Sequence, residues 1–564
     1  VNKRDFLRLL GALGLGALGG ALAGDVVYGL NERRLSESGV VQVALPGYSV
    51  MVQTPTGPNG EPRPMVVSAD GEVIVDSGGR IVSDLGVYPA EGVNELGGYT
   101  KTAGIQEAVA YLLNTGGGRA FIRRGDYYPS QIIRVAIGKR QVQVILEGEG
   151  LATRIHLYNN PKGSQDWAFT VGTPGNTPSA DQAPPPVFRG LTFVNDVNEG
   201  GPVGPMVTGG YYAGGGAVGN GVILEDIAVV DPPSLANKPG TPPSPIGWTW
   251  FNNSYGIRVR GFTYLGANPN SRHSTIIVSD GITFTEIDES YFISTAGGGI
   301  AISSGTGTIQ ITNTQILGFR VGINYGETDG KSKLMVTNTV FGTDRGGVQG
   351  FEAQLFVNWP IVVDHGFIDA LICCSRLGGV LRLTDAVGRV TISNSEVHPL
   401  TIEASTVNRP QSDLLLTIEG SRVEGHGGGP LINITAKSAS TSIVRVRLLN
   451  NELIKRASSG EWSLVDVPNG LPLLEIRGNY VNLLDGFDTV IGLGQDITDG
   501  FYEFLDNVVY SAGQPIYVLN GGVSITAPFI VRHNKFLAQA KLAKAPLASQ
   551  AGLSLGDNLN LADG

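Results

Sequence analysis

Three histidine-carboxylate groups fall close together in the chain: Asp364-His365, Glu396-Val397-His398 and Glu424-Gly425-His426. The whole sequence holds only six histidines, so three within this span is a concentration. A histidine beside a carboxylate can take or give a proton near neutral pH. Two carboxylates facing one glycosidic bond can act as acid and base, and their separation sets the stereochemical outcome. Glu396, His398, Glu424, His426 and Asp364 are therefore the candidate catalytic residues, with Glu396 and Glu424 as the acid/base pair. Arg422 is a candidate for holding a substrate carboxylate, and Trp248 and Trp250 for stacking on sugar rings. The same groups also fit corner and loop positions without chemistry, and the tryptophans fit the base of a long loop.

Those residues have to be positioned by something periodic. Between Pro185 and Ala540 a pattern recurs: alternating apolar residues, then Asn, Asp, Gly or His, then another apolar pair. The turn-forming member falls at Gly190, Asp226, Gly261, Asp288, Asn313, Asn338, His365, Asn394, Gly420, Asn450, Gly478, Asp506 and His533. From Asp288 onward the step is about 25–30 residues, the mark of a solenoid. A unit this short cannot bury its apolar face alone and must stack on copies of itself. Three short strands per turn describe a parallel β-helix, with Asn and Gly at corners where φ is positive. Asn313 and Asn338, one coil apart, are placed to join side-chain amides in a ladder.

Outward charged positions, among them Glu225, Arg258, Arg260, Glu286, Arg447, Glu475, Arg477 and Glu503, mix signs between neighbouring coils. They read as an exposed ion-pair ladder, each pair worth about 0–1 kcal/mol. Glu286, Asp288 and Glu289 form the one acidic grouping that suits calcium, and the expectation otherwise is no cofactor. Glycine is 81 of 564 residues and serves turns, since 41% apolar content excludes a disordered Gly-rich chain. A net charge of −10 argues against a nucleic-acid partner. The only cysteines, Cys373 and Cys374, are adjacent, which excludes a disulfide framework. On a regular strand one thiol would point inward and the other outward, and the alternative is a strained disulfide between the two neighbours.

Residues 1–23 read as an export signal. Asn2-Lys3-Arg4-Asp5-Phe6-Leu7-Arg8 is similar to the twin-arginine consensus, and Ala21-Leu22-Ala23 fits a cleavage site. Membrane contact is expected only there. Residues 24–98 form a small irregular β segment. Ile105, Ala108, Val109, Leu112 and Leu113 share one face of an amphipathic helix over 102–114, suited to cap the open end of a solenoid running 99–540. Gly/Pro-rich loops are expected at 200–221 and 232–250, and a C-terminal cap or tail at 541–564.

The block from Gly104 to Val135, followed by Val144 to Gly150, resembles the opening of the pectate-lyase-like superfamily. That resemblance implies an all-β, right-handed parallel β-helix whose partner is a polysaccharide or surface glycan, and the signal read at 1–23 makes the expected location exported, extracellular or cell-surface. It does not decide between a lyase, a glycosidase and a non-catalytic fibre or adhesin. Gly425-His426-Gly427 resembles the Gly-His-Gly motif of polygalacturonases, and Arg445-Val446-Arg447 their Arg-x-Lys, but the chain has no Asp-Asp pair.

Overall fold

Apolar alternation between Val187 and Phe536 becomes parallel strands in the described residues. The computed structural model describes residues 48–51, 65–68, 73–75 and 105–122, and from 124 to 562 the strands and corners of successive coils, without most of the longer connections. Two compact units divide the chain, Val1–Ser274 and Thr275–Gly564. Each is a stack of coils made of a first strand, a corner, a second strand and a third strand.

In the first unit the first-strand ladder runs through Gly118–Ile122, Val144–Gly148, Val187–Arg189, Val222–Glu225 and Ile257–Arg260, all parallel. The second-strand ladder runs from Gly125–Tyr127 to Thr263–Gly266, and the third from Ile133–Val135 to Thr249–Asn252. In the second unit the first-strand ladder extends from Phe284–Asp288 to Leu553–Gly556. This is a parallel β-helix, as the repeat implied.

Register stacks like on like. Ile287 stands beside Ile311, then Val336, Ile372, Ile392 and Ile418 in the following coils. All six are essentially inaccessible to solvent. Fully burying such a side chain is worth about 1.5–3 kcal/mol. The strand Thr308–Thr312 shows how the alternation works: Ile309 and Ile311 point in, while Thr308, Gln310 and Thr312 stay partly exposed.

The helix Ile105–Thr115 buries Ile105, Ala108, Val109 and Leu112 against Val73–Val75, Gly118–Ile122 and Ile133–Val135, the strands of the first coil and its neighbour. It stops at three glycines with positive φ, and the Gly117 N–H donates to the Leu112 carbonyl at 2.7 Å. A side chain at Gly117 would strike the Gln143 backbone. The preceding β segment is an antiparallel trio, Tyr48–Met51, Met65–Ser68 and Val73–Val75, whose last strand pairs in parallel with Gly118–Ile122.

All but two of the expected corners have the left-handed φ that identifies them. The corner placed at Asp288 is at Glu289 (φ 48°), and the one placed at His365 is at Cys374 (φ 54°). His365 instead lies within the unbroken strand Trp359–Cys373, where the third strand of one coil runs straight into the first strand of the next. Residue type alone marks any Asn, Asp or His after an apolar pair. Here continuous pairing of Val362 to Cys373 with Arg382 to Ser393 replaces the turn. Two other boundaries move. Gly204–Thr208, inside the loop expected at 200–221, is a third strand, and coils continue past 541 through Leu553–Gly556 and Leu559–Ala562 with a corner at Asp557. The signal expected at 1–23 and the loop over 232–248 lie outside the described residues.

Candidate functional site

Strand pairing brings four of the expected residues together on the second-strand ladder of the second unit. Arg376, Glu396, Arg422 and Glu452 occupy the same register position in four successive coils. They alternate in sign: Arg376 lies 3.4 Å from Glu396, and Arg422 lies 3.8 Å from Glu452. Two residues further along stand His398, just past the end of its strand, and Glu424, each less than a tenth exposed. His398 Nε2 is 4.0 Å from Glu396 Oε1.

Glu424 is the centre of this group. Arg422 donates from Nε and Nη2 to Glu424 Oε2 at 3.1 and 2.6 Å, and Arg456 Nε donates to Glu424 Oε1 at 3.0 Å. Both carboxylate oxygens are thus engaged by guanidinium groups. The hydrogen bond from Arg422 to Glu424 in turn holds the Arg422 guanidinium even more firmly charged. Charge-assisted pairs of this kind are short and directional. They orient two arginines whose side chains remain nearly half exposed.

The remaining candidates are elsewhere. Asp364 lies in Trp359–Cys373 opposite Thr384, and His426 lies at the end of Arg422–His426 opposite Arg456. Arg445 is exposed on the first-strand ladder, opposite Leu415 and Leu473, and so on a different ladder from Glu424. Trp250 belongs to the third strand Thr249–Asn252 of the first unit, and Trp248 is outside the described residues.

Residues that went unnoticed in the sequence complete the column. Tyr480 follows Glu452 in register, and Tyr510 follows Asn482, itself opposite Ile454 in Glu424's column. Both tyrosines are exposed on the outer face. Their signal was the column itself: they sit at the offsets from their corners that Arg422 and Glu424 occupy from theirs. Coil spacing of about 4.8 Å makes the five residues from Arg376 to Tyr480 a lane of about 20 Å.

A second pairing involves two like charges. Glu475 and Glu503 are directly opposite on the first-strand ladder. Burial, reinforced by the Glu475 charge, raises the Glu503 carboxyl above its usual range against the opposing pull of Arg477. Arg447 Nε stands 3.2 Å from Glu475. The mixed-sign ladder holds in the first unit too, where Arg189 spans Glu225 at 2.6 Å and Glu147 at 3.6 Å.

The first unit carries its own clamped carboxylate. Asp126 takes Arg154 Nε and Nη2 at 2.8 Å each, and His156 Nε2 at 2.7 Å. Burial opposes its charge, but the His156 hydrogen bond and the Arg154 charge overcome this and hold the carboxyl below its usual range. Asp126 belongs to the Arg124-Gly125-Asp126-Tyr127 step of the opening block.

The acidic grouping read for calcium is partly engaged by neighbouring coils. Asp288 Oδ1 accepts from Thr312 Oγ1 at 2.7 Å and Asn313 Nδ2 at 3.0 Å. Among the described residues no three His, Cys, Asp or Glu side chains converge on one point.

No family model and no curated protein matches this chain. Among solved structures it is similar to the catalytic domain of a GH87 alpha-1,3-glucanase in complex with nigerose, at 12% identity and TM-score 0.40, over 66% of this chain and 67% of that one. It is also similar to PfbA, a surface adhesin of Streptococcus pneumoniae, at 14% identity and TM-score 0.34, over 68% and 92% of the two chains. A third is the tailspike protein of E. coli bacteriophage HK620 in complex with pentasaccharide, at 12% identity and TM-score 0.28, over 81% and 75%. The pairing of its own strands makes this chain a parallel β-helix protein, the architecture its opening block implied.

Proposed function

We propose that this is an exported carbohydrate-active protein that holds a polysaccharide along the outer face of the second-strand ladder in its second unit. One observation carries the reading: Arg376, Glu396, Arg422, Glu452 and Tyr480 form a single column, with Glu424 and Tyr510 in the column beside it. Fixed guanidinium and carboxylate groups suit sugar hydroxyls, and exposed tyrosine rings suit the apolar faces of sugar rings. The column carries nearly equal numbers of each sign, which favours a neutral glycan over a polyanion. Export rests on the expected signal at 1–23. Among the described residues no helix is long and apolar enough to cross a membrane.

The test is a binding titration of the full chain against a panel of neutral and acidic polysaccharides. Arg422→Ala should weaken binding about tenfold or more, since a charged hydrogen bond is worth about 1.5–3 kcal/mol, and Tyr480→Ala should weaken it by removing a ring that packs on a sugar face. Arg445→Ala, on the other ladder, should leave binding unchanged. Equal losses in all three variants, or no binding by the parent chain, would overturn the reading.

Cleavage is the second reading, and Glu475 and Glu503 favour it. Two carboxyls directly opposite on neighbouring coils, with the Glu503 carboxyl raised above its usual range by burial, form the kind of pair from which general acid/base chemistry is built. Release of reducing ends or unsaturated products that Glu503→Gln abolishes would support it. Binding without any product would leave the protein an adhesin-like glycan holder.

A further inference from the structure

The two cysteines of the chain stand together at the corner that follows the long strand Trp359–Cys373. Cys373 ends the strand Trp359–Cys373, and Cys374 takes the left-handed conformation with φ 54°. On a continuing strand the two thiols would diverge to opposite faces. The corner prevents this: Cys373 is partly exposed, Cys374 is exposed, and the sulfur atoms are 2.9 Å apart. That is inside ordinary nonbonded contact for sulfur and outside the disulfide bond length of about 2.05 Å. The flanking corners hold Asn338 and Asn394, so the dithiol replaces a residue type that suits this conformation without strain.

We propose that Cys373 and Cys374 form a reversible surface redox pair, oxidised by small-molecule disulfides to a bond between neighbouring residues. One thiolate attacks the external disulfide, forms a mixed disulfide and releases one thiolate. The adjacent sulfur then attacks the bound cysteine sulfur, closes the Sγ–Sγ bond and releases the second thiolate. The two cysteines lose two electrons and two protons, and the external disulfide becomes two thiols. The second step is intramolecular between atoms already in contact, so the mixed disulfide has a short life. Adjacent Cα atoms are about 3.8 Å apart, short of the usual disulfide span of 4.4–6.8 Å. The bond is therefore strained and readily reduced again. The hydrogen bond to Cys373 raises the Cys374 thiol above its ordinary range, so reaction should accelerate with pH through the alkaline side.

The experiment treats the full chain with oxidised glutathione, alkylates remaining thiols and reads the peptide spanning Cys373 and Cys374 by mass spectrometry. The expected product has lost two hydrogens, carries neither alkyl group nor glutathione, and returns to the alkylatable form with dithiothreitol. Cys374→Ser and Cys373→Ser should each accumulate a stable glutathione adduct instead. As a second readout, phenylarsine oxide should consume both thiols one-to-one in the parent chain and fail to be retained by either variant. A parent chain that accumulates glutathione adducts, links to a second chain, or stays reduced while the single-cysteine variants react would overturn the proposal.

Discussion

At the corners Gly190, Asp226 and Gly261 of the first unit the residue just inside is apolar, whereas in the second unit it is polar. In the first unit it is Leu191, Ile227 and Phe262, all buried. In the second it is Ser290, Thr314, Thr339, Ser375, Ser395 and Ser421, and then Asn451, Asn479, Asn507, Asn534 and Asn558. Each hydroxyl caps a carbonyl two residues back, as Ser395 Oγ does to the Ser393 carbonyl at 2.8 Å. Each Asn from 451 to 534 donates from Nδ2 to the next amide oxygen at 2.9–3.0 Å and to a backbone carbonyl such as Ile418 O at 2.8 Å. The corner backbone joins in, since Asn479 N–H donates to Asn507 Oδ1 at 2.9 Å. Ser421 N–H links the two parts by donating to Asn451 Oδ1 at 2.9 Å. Buried amides are tolerated here because every one is satisfied by the next coil. The apolar corners of the first unit are held by packing and make no such demand for a matching neighbour.

The sharpest way to break this contrast is to exchange shape-similar side chains. Asn507→Leu should cost roughly 3 kcal/mol or more, because the Asn479 N–H and Nδ2 and the Ile476 carbonyl lose their partners in a buried site. Ile227→Leu should cost less than about 1.5 kcal/mol. Urea unfolding followed by hydrogen exchange at the affected amides would measure both, and equal losses would refute the distinction.

A second test concerns Lys455, an inward side chain of the same unit that lies outside the ladder, opposite Gly425 and Leu483. Burial lowers its ammonium from 10.5 to about 8. The folded state therefore binds this proton less tightly than the unfolded chain, and stability should rise as pH climbs from about 8 toward 10.5. Lys455→Met should gain about 2–3 kcal/mol at pH 7, and most of that gain should vanish by about pH 10–11. Melting curves across that range would show it.

The smallest effect is expected at the Cys374 corner. Cys374→Asn should stabilise by no more than about 1 kcal/mol, since Asn accepts the left-handed conformation more readily. Thermal unfolding under reducing conditions would register the change.

Much of the fold was legible because corner chemistry and inward alternation are local. Gly190, Asn313, Asn338, Asn394, Asn450 and Asp506 could be placed from type and spacing alone, and the Asn338 to Asn313 amide contact at 2.7 Å follows from that placement. His365 was misread because nothing in its neighbours distinguishes a turn from a strand that carries on. The inner asparagines escaped notice because a polar residue beside a turn looks solvent-facing until the coils are stacked. For the site, the concentration of histidines and carboxylates drew attention to Glu396, Arg422 and Glu424, which strand pairing sets on neighbouring coils. Arg445, singled out by a motif match, stands on a different ladder. The tyrosines were missed because they carry no charge pattern to follow.

The asparagine series has a further property. Each member gives to the one ahead and receives from the one behind in the same way, so the row is translationally symmetric along its axis. A duplicated segment beginning at Asn479 and ending at the turn residue Asp506 would meet the same donors and acceptors on both sides as the original. The protein can therefore grow by whole modules at this point, lengthening its outer wall without redesigning what lies within.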